Sequence, residues 1–412
     1  MEASNTGGTD LERFNPFLPE FIDNPYSFYE RYRARDPVHW GLPQSPGRPG
    51  CWYLFKYEDV SALLRDRRFV RRWPPAPKIP PEARPQPQSL FQEVCDRWLF
   101  SLDPPDHSRL RSLVNKAFSP RIVVELRPRI QELANGLLDR LGDSFDLVND
   151  YAFPLSFTVI GDILGVRPED TQDFRAWSMA VGDGINLRQG SEGLERANQG
   201  TQALLSYFRD RVAERRRQPR ADLISSLIDA RDAGEKLSEE ELLAQCIQLI
   251  FAGHETTVNH IGNGMLALLQ HPEQLALLRR CPELIDNAVN ELLRFDSPVQ
   301  TTAARKPMED LELGGKLIRA GEPVIAFVGS ANRDPAVFPE PDRLDITRSG
   351  APHLTFGTGI HTCLAASLGR TEGAIALETL VRRRPGLRLT GEPLAWRPHA
   401  VLRGLPELRV HS

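Results

Sequence analysis

Between Ser238 and Pro272 the chain carries a helix signature long enough to set the scale of whatever forms around it. Ser238 with Glu241 three residues on reads as a capping box: the hydroxyl takes the N3 amide while the N3 carboxylate reaches back to the N-cap amide. Pro272 stands where a helix cannot simply continue. At 1.5 Å per residue, a helix from about Glu239 to Gln270 extends roughly 48 Å, which crosses a whole domain.

The remaining pattern is subordinate to that helix. Helical periodicity dominates from Asp103 to about Lys306, after helix-like stretches at Tyr26–Arg35 and Glu58–Arg67 and a strand-like one at Cys51–Tyr57. A small β region follows, broken at Gly314-Gly315 and Ala320-Gly321, and a last helix begins after Cys363 and stops near Arg384-Pro385-Gly386. The fold class is therefore mainly α with a small β region. Residues 1–12 read as a disordered terminus and 13–412 as a single domain, without repeat or linker. Seven prolines within Pro74–Pro87 suggest an exposed semi-rigid loop or a lid over a pocket.

Composition removes several classes of function. With 412 residues, 41% of them hydrophobic, the chain can bury a large core. Its 51 basic and 55 acidic residues nearly cancel, against the basic excess of a nucleic-acid-coating protein. Forty-five of those cations are arginine, a bias that reads as genomic base composition. No secretory pattern opens the chain and no apolar run reaches the ~18–20 residues of a membrane span, so a cytoplasmic location is expected. Five widely spaced cysteines without a CxxC pair indicate neither a disulfide framework nor a zinc site.

One of those cysteines carries the chemistry. In His353-Leu-Thr-Phe-Gly-Thr-Gly-Ile-His-Thr-Cys-Leu-Ala-Ala366, two glycines allow a tight turn, and Cys363 then stands at the start of a helix. There the macrodipole and unpaired N–H groups favour a thiolate, a ligand suited to a soft metal centre. Phe356, Gly357, Gly359, His361 and Cys363 match F-G-x-G-x-H-x-C, and the string resembles the haem-binding loop of the cytochrome P-450 superfamily, soluble bacterial type. Ala365 departs from the glycine usual two residues after the cysteine. The resemblance implies the P-450 fold, a triangular prism around haem b, with Cys363 as the iron ligand. Such a ligand pushes electron density to iron and favours O–O cleavage.

Four more segments extend the resemblance over about residues 15–410. Asn290-Glu-Leu-Leu-Arg294 looks like the family's E-x-x-R helix, with Glu291 and Arg294 as i,i+3 neighbours and Arg343 expected as the third, structural member. His107 and Arg111 share one helical face, and with Arg305 and His361 they match the haem propionate positions. Ala252-Gly-His-Glu-Thr-Thr257 resembles the oxygen-activation segment. It makes Glu255 and Thr256 the catalytic acid–alcohol pair, with Ala252 and Gly253 beside the haem and Gly253 leaving room for dioxygen. Asn332-Arg-Asp-Pro335 looks like the meander entry. Gln248, Phe251, Val299, Thr301, Thr302, Val401 and Leu402 match pocket-lining regions and imply a hydrophobic small-molecule substrate.

A zinc-protease reading of His254-Glu255 fails on geometry, because the next histidine, His260, lies at i+6 and not i+4. What the resemblance implies is a haem-thiolate monooxygenase that inserts one atom of O2 into a hydrophobic molecule. Its electrons would come from a separate ferredoxin and an NAD(P)H-dependent ferredoxin reductase. Arg109 and Lys116, on the far face from His107 and Arg111, are expected to meet that ferredoxin. The alternatives are a non-enzymatic gas-binding haem protein, in which Glu255-Thr256 would lack a purpose, and a peroxide-driven peroxygenase, against which the same pair argues.

Overall fold

The computed structural model describes residues 11–43, 50–72, 89–115, 120–186, 190–230 and 237–412. The proline-rich Pro74–Pro87 segment, Lys116 and all but the last two residues of the 1–12 terminus lie outside them. The long helix runs from Glu239 to Gln270, and both halves of its capping box form: the Glu241 amide donates to Ser238 Oγ at 3.1 Å and the Ser238 amide to Glu241 Oε2 at 2.9 Å. Pro272 opens the next helix, where its missing N–H costs nothing.

From Leu242 to Leu268 this helix is buried on all sides except at Ala252, Gly253, Glu255 and Thr256. Helices Phe153–Leu164, Ile285–Phe295 and Ala366–Arg383 flank it and share its main hydrophobic core. A helix enclosed in this way must be apolar around its circumference, and the polar residues it does carry have to be answered by neighbours.

The β part is small and split. Val38–Gly41 pairs antiparallel with Cys51–Leu54, which runs parallel to Val324–Ala326. Phe69–Val70 pairs with Lys306–Pro307, and Leu311–Leu313 with Lys316–Ile318, the break falling at Gly314-Gly315 as expected. A fourth sheet, without a signal in the sequence reading, joins Ser144–Asp146 and Arg388–Leu389 to Arg409–His411. Among the described residues no helix is long and apolar enough to cross a membrane.

The E-x-x-R pair forms in the core. Glu291 and Arg294, 3% and 2% exposed, meet through Arg294 Nε and Nη2 at 2.7 and 2.8 Å. Arg294 also donates to the carbonyls of Asn332 and Pro341. The expected third member is corrected. The Arg343 side chain is 60% exposed and turns to Glu340, whereas Arg348 reaches Glu291 Oε1 from Nε at 3.1 Å. The Asp345 carboxylate caps the Thr347 amide, and its carbonyl takes the Arg348 amide; this turn swings Arg348, not Arg343, under Glu291. Asn332 completes the meander by holding Leu354 N–H, Thr355 Oγ1 and Ser297 Oγ, which fixes the entry to the cysteine loop.

Arg348→Met is expected to lower stability by about 1.5–3 kcal/mol, the range for a hydrogen bond to a buried charge. Arg343→Met should stay within about 0.5 kcal/mol of the parent, as an exposed substitution does. Urea unfolding followed by circular dichroism compares the two, and equal effects would contradict the reassignment.

Candidate active site

The cysteine loop is built by close approach. Gly357 and Gly359 adopt φ of +67° and +75°, and a Cβ on Gly359 would lie 2.5 Å from the Leu64 carbonyl oxygen. The loop is thereby pressed against the end of helix Tyr57–Arg65. The Cys363 amide donates to the Phe356 carbonyl at 2.8 Å, closing the turn. Phe356 lies under the Arg370 guanidinium at 4.3 Å, and Arg370 is itself held by Asn290.

The helix after the cysteine begins only at Ala366, so Cys363 precedes it by a full turn's approach rather than opening it. Desolvation pushes the Cys363 thiol above its ordinary pKa, opposed by the Ala365 N–H and by the charges of Arg111 and Arg370. The loop alone therefore does not secure a thiolate. A coordinated cation would, because a metal-bound thiol loses its proton outright.

Cations converge on one side of this loop. The His107 and His361 rings stand 4.4 Å apart, the first on helix Asp106–Asn115 and the second two residues before the cysteine. Arg111 Nη1 donates to the Thr362 carbonyl at 2.8 Å. Arg305 Nη1 is shared by the carbonyls of Leu63 and Leu64, at the negative end of helix Tyr57–Arg65. Arg305 Nε and Nη2 and His107 Nε2 are sealed from solvent with no protein partner. Burial, then the charges of Arg71, Arg305, His107 and Arg111, push His361 down to about 2. Burial and the same kind of repulsion lower His107. Unpartnered donors and crowded positive charge together form a site that fits a dianion, and the two propionates of haem supply one. The four residues expected to hold them are brought together.

The opening in the long helix faces the other half of the site. Thr256 Oγ1 donates to the Ala252 carbonyl at 3.1 Å. The Glu255 carboxylate pairs with Arg397, a partner the sequence reading did not find. His254 is fully buried and turned elsewhere: its Nδ1 donates to the Ile250 carbonyl and its Nε2 accepts from Ser178. Burial lowers its pKa below the ordinary imidazole value, with Glu255 opposing. Gly253 also has a packing role. A Cβ there would meet Ile160 Cγ1 at 2.6 Å, so the missing side chain lets helix Phe153–Leu164 pack close, and the helix runs through this point unbroken.

The pocket-lining candidates divide. Val299 and Leu402 form an antiparallel bridge, with the Gln300 amide on the Val401 carbonyl, so these two distant segments meet. Thr301 is buried with Oγ1 unpartnered, whereas Thr302 Oγ1 accepts the Ala326 amide and belongs to the sheet. Gln248 is occupied in taking the Leu99 amide at 2.5 Å. Phe251 stacks on Trp98, whose Nε1 is buried without a partner. Arg109, expected at a docking face, instead pairs with Glu241 in the first turn of the long helix. Among the described residues no group of three or more His, Cys, Asp and Glu side chains could hold a metal ion.

Comparison with known proteins bears on this geometry as a whole. The sequence profile described as Cytochrome P450 matches residues 141–280 and 282–383. The Biotin biosynthesis cytochrome P450 of Bacillus subtilis is 42% identical over 95% of this chain and 97% of its own length. The Vitamin D(3) 25-hydroxylase of Pseudonocardia autotrophica is 41% identical over 99% and 98%. Among solved structures, P450BioI in complex with hexadec-9Z-enoic acid ligated acyl carrier protein superposes with a TM-score of 0.88 at 41% identity, covering 95% of this chain and 99% of that one. The Bacillus subtilis bacillaene polyketide synthase cytochrome P450 PksS gives 0.87 at 38%, covering 97% and 99%.

Gly253→Ala should destabilise the fold by about 1–3 kcal/mol through overpacking, and Ile160→Ala in the same chain should recover part of that loss. Thermal unfolding of the single and double variants measures the coupling. Simple additivity would mean that Gly253 is not kept small by Ile160.

Proposed function

This chain belongs to the cytochrome P450 family, binds haem b and is a monooxygenase, and from that premise we propose which of its residues do the work and on what. Cys363 ligates the iron, and Phe356 packs beside it under Arg370. His107, Arg111, Arg305 and His361 hold the propionates. The support is the set of buried, unpartnered donors at His107 and Arg305, which a dianion would satisfy.

Haem bound through a thiolate supplies dioxygen binding and reductive O–O cleavage. The protein must deliver protons into a pocket that otherwise stays dry. Thr256 and Glu255 are placed for this because they are partly exposed in a helix that is sealed above and below them. The Thr256 hydroxyl donates to Ala252 and keeps its lone pairs free to accept from a proton donor. Glu255 sits toward the partly exposed Arg397, where its carboxylate can exchange protons with solvent and pass them inward.

The substrate is a hydrophobic small molecule of the polyketide, macrolide, terpenoid or fatty acyl kind, hydroxylated or epoxidised. Apolar Phe251, Val299, Val401 and Leu402 suit such a ligand, with Trp98 Nε1 and Thr301 Oγ1 as the available polar anchors. Relatives of the chain are named for biotin biosynthesis, polyketide biosynthesis and vitamin D(3) 25-hydroxylation. Electrons come from separate redox partners, for which we propose a ferredoxin and its NAD(P)H-dependent reductase, acting in the cytoplasm.

Thr256→Ala should retain haem and substrate binding and still consume NAD(P)H, but release much of the reducing power as hydrogen peroxide. Glu255→Gln should slow turnover by about 10²–10⁴-fold, the usual weight of a general acid–base group. The measurement is product formed per NAD(P)H oxidised, with peroxide assayed in parallel. Unchanged coupling in Thr256→Ala would remove this residue from the proton path.

A further inference from the structure

The cationic edge described above contains a third guanidinium that no part of the motif reading supplied. Arg71 follows strand Phe69–Val70, which pairs with Lys306–Pro307 just beyond Arg305. Its Nη1 donates to the Ala303 carbonyl at 2.6 Å, and its Nε is sealed from solvent with no partner. Arg71 is repelled by Arg305, and His107 and His361 both feel its charge. Burial and repulsion from Arg305 lower Arg71 to about 9, with Asp103 opposing. Asp103 does not answer the guanidinium directly. Both of its oxygens are taken by the backbone amides of Arg71 and Arg72.

The charges at this edge can be balanced. Counting the guanidiniums and carboxylates alone, Arg71, Arg111 and Arg305 contribute three positive charges and Asp103 one negative charge. Two positive charges remain, and they are held by side chains whose free N–H groups have no protein acceptor. The two carboxylates of haem b close that balance, but only if Arg71 is counted. Without Arg71 the cradle would carry one net positive charge for two propionates, and an isolated buried charge is costly.

We infer that Arg71 is a further propionate-binding residue, which directs its unpartnered Nε, beside Arg305, at the carboxylate edge of the haem. This rests on the propionate reading given above. It ties the chain at the end of Phe69–Val70 to the cofactor directly, with the Asp103 carboxylate fixing the backbone of Arg71 and Arg72 so that the guanidinium is held in place.

The test uses the ferric holoenzyme and the rate of haem transfer to excess apomyoglobin, an acceptor independent of turnover. Arg71→Met should lose haem about tenfold to a hundredfold faster than the parent, as expected for loss of a charge-assisted hydrogen bond. Arg71→Lys, which keeps the charge, should fall between them, and Arg72→Met, altering an exposed neighbour, should match the parent. The same proteins reconstituted with haem dimethyl ester, whose propionates are uncharged, should show parent and Arg71→Met rates within about twofold of each other. Equal rates for parent and Arg71→Met with ordinary haem would overturn the inference. So would an acceleration that persists undiminished with the ester, which would mark Arg71 as a packing residue. An unchanged haem rate combined with loss of a spin-state response to a fatty acid, but not to its methyl ester, would also overturn it and assign Arg71 to a substrate carboxylate. If the parent itself released both haems at one rate, the propionate cradle as a whole would fail, and that outcome is distinct from the others.

Discussion

A 32-residue helix enclosed on all sides by other helices imposes an unusual demand. Every backbone and side-chain polar group on it must be answered from within, because water cannot reach it. The chain meets this mostly with apolar residues and with local bonds such as that of His254 to Ile250, while Asn259, His260 and Asn263 keep buried polar atoms without a protein partner. The break in its burial spans Ala252 to Thr256, where partial exposure and a hydroxyl and a carboxylate coincide. Because the enclosure is otherwise complete, that gap fixes where chemistry on this helix can occur. The flanking helices pack against the same rod and share its core.

The opposite wall of the site depends on a different economy, that of arginine. Arg294 and Arg348 converge on Glu291 and bind the meander carbonyls, which fixes the approach to the cysteine loop. Arg305 and Arg111 bind carbonyls of the neighbouring helix and of the loop itself. A guanidinium presents several donors in a rigid fork, so one side chain can both brace backbone and keep an N–H for a ligand. At the cationic edge that spare capacity is left over, and it matches the charge of the cofactor that the family binds.

Much of this was legible in the sequence because the informative residues are contiguous or share one helical period. The capping box, the cysteine loop, Glu291-Arg294 and Glu255-Thr256 all fall in that class. Arg348, Arg397 and Arg71 do not. Each acts on a partner far away in the chain, and in a sequence with 45 arginines no single one stands out. The Arg343 expectation failed because only the turn at Asp345 decides which neighbouring arginine points inward. The packing role of Gly253 was hidden for a related reason. A glycine beside a reactive pair looks like room for a ligand, yet its absent Cβ faces Ile160. Side-chain direction across a helix is set by what packs there, which the sequence of the helix alone does not contain.

The central proposal is that Cys363, three residues before helix Ala366–Arg383, ligates the haem iron as a thiolate. The reduced carbon monoxide difference spectrum tests this most directly. The parent protein should show the ferrous–CO band characteristic of thiolate-ligated haem, and Cys363→Ser should lose that band while keeping its far-UV circular dichroism. A thiolate-type band that survived in Cys363→Ser, or was missing from the haem-loaded parent, would contradict the account.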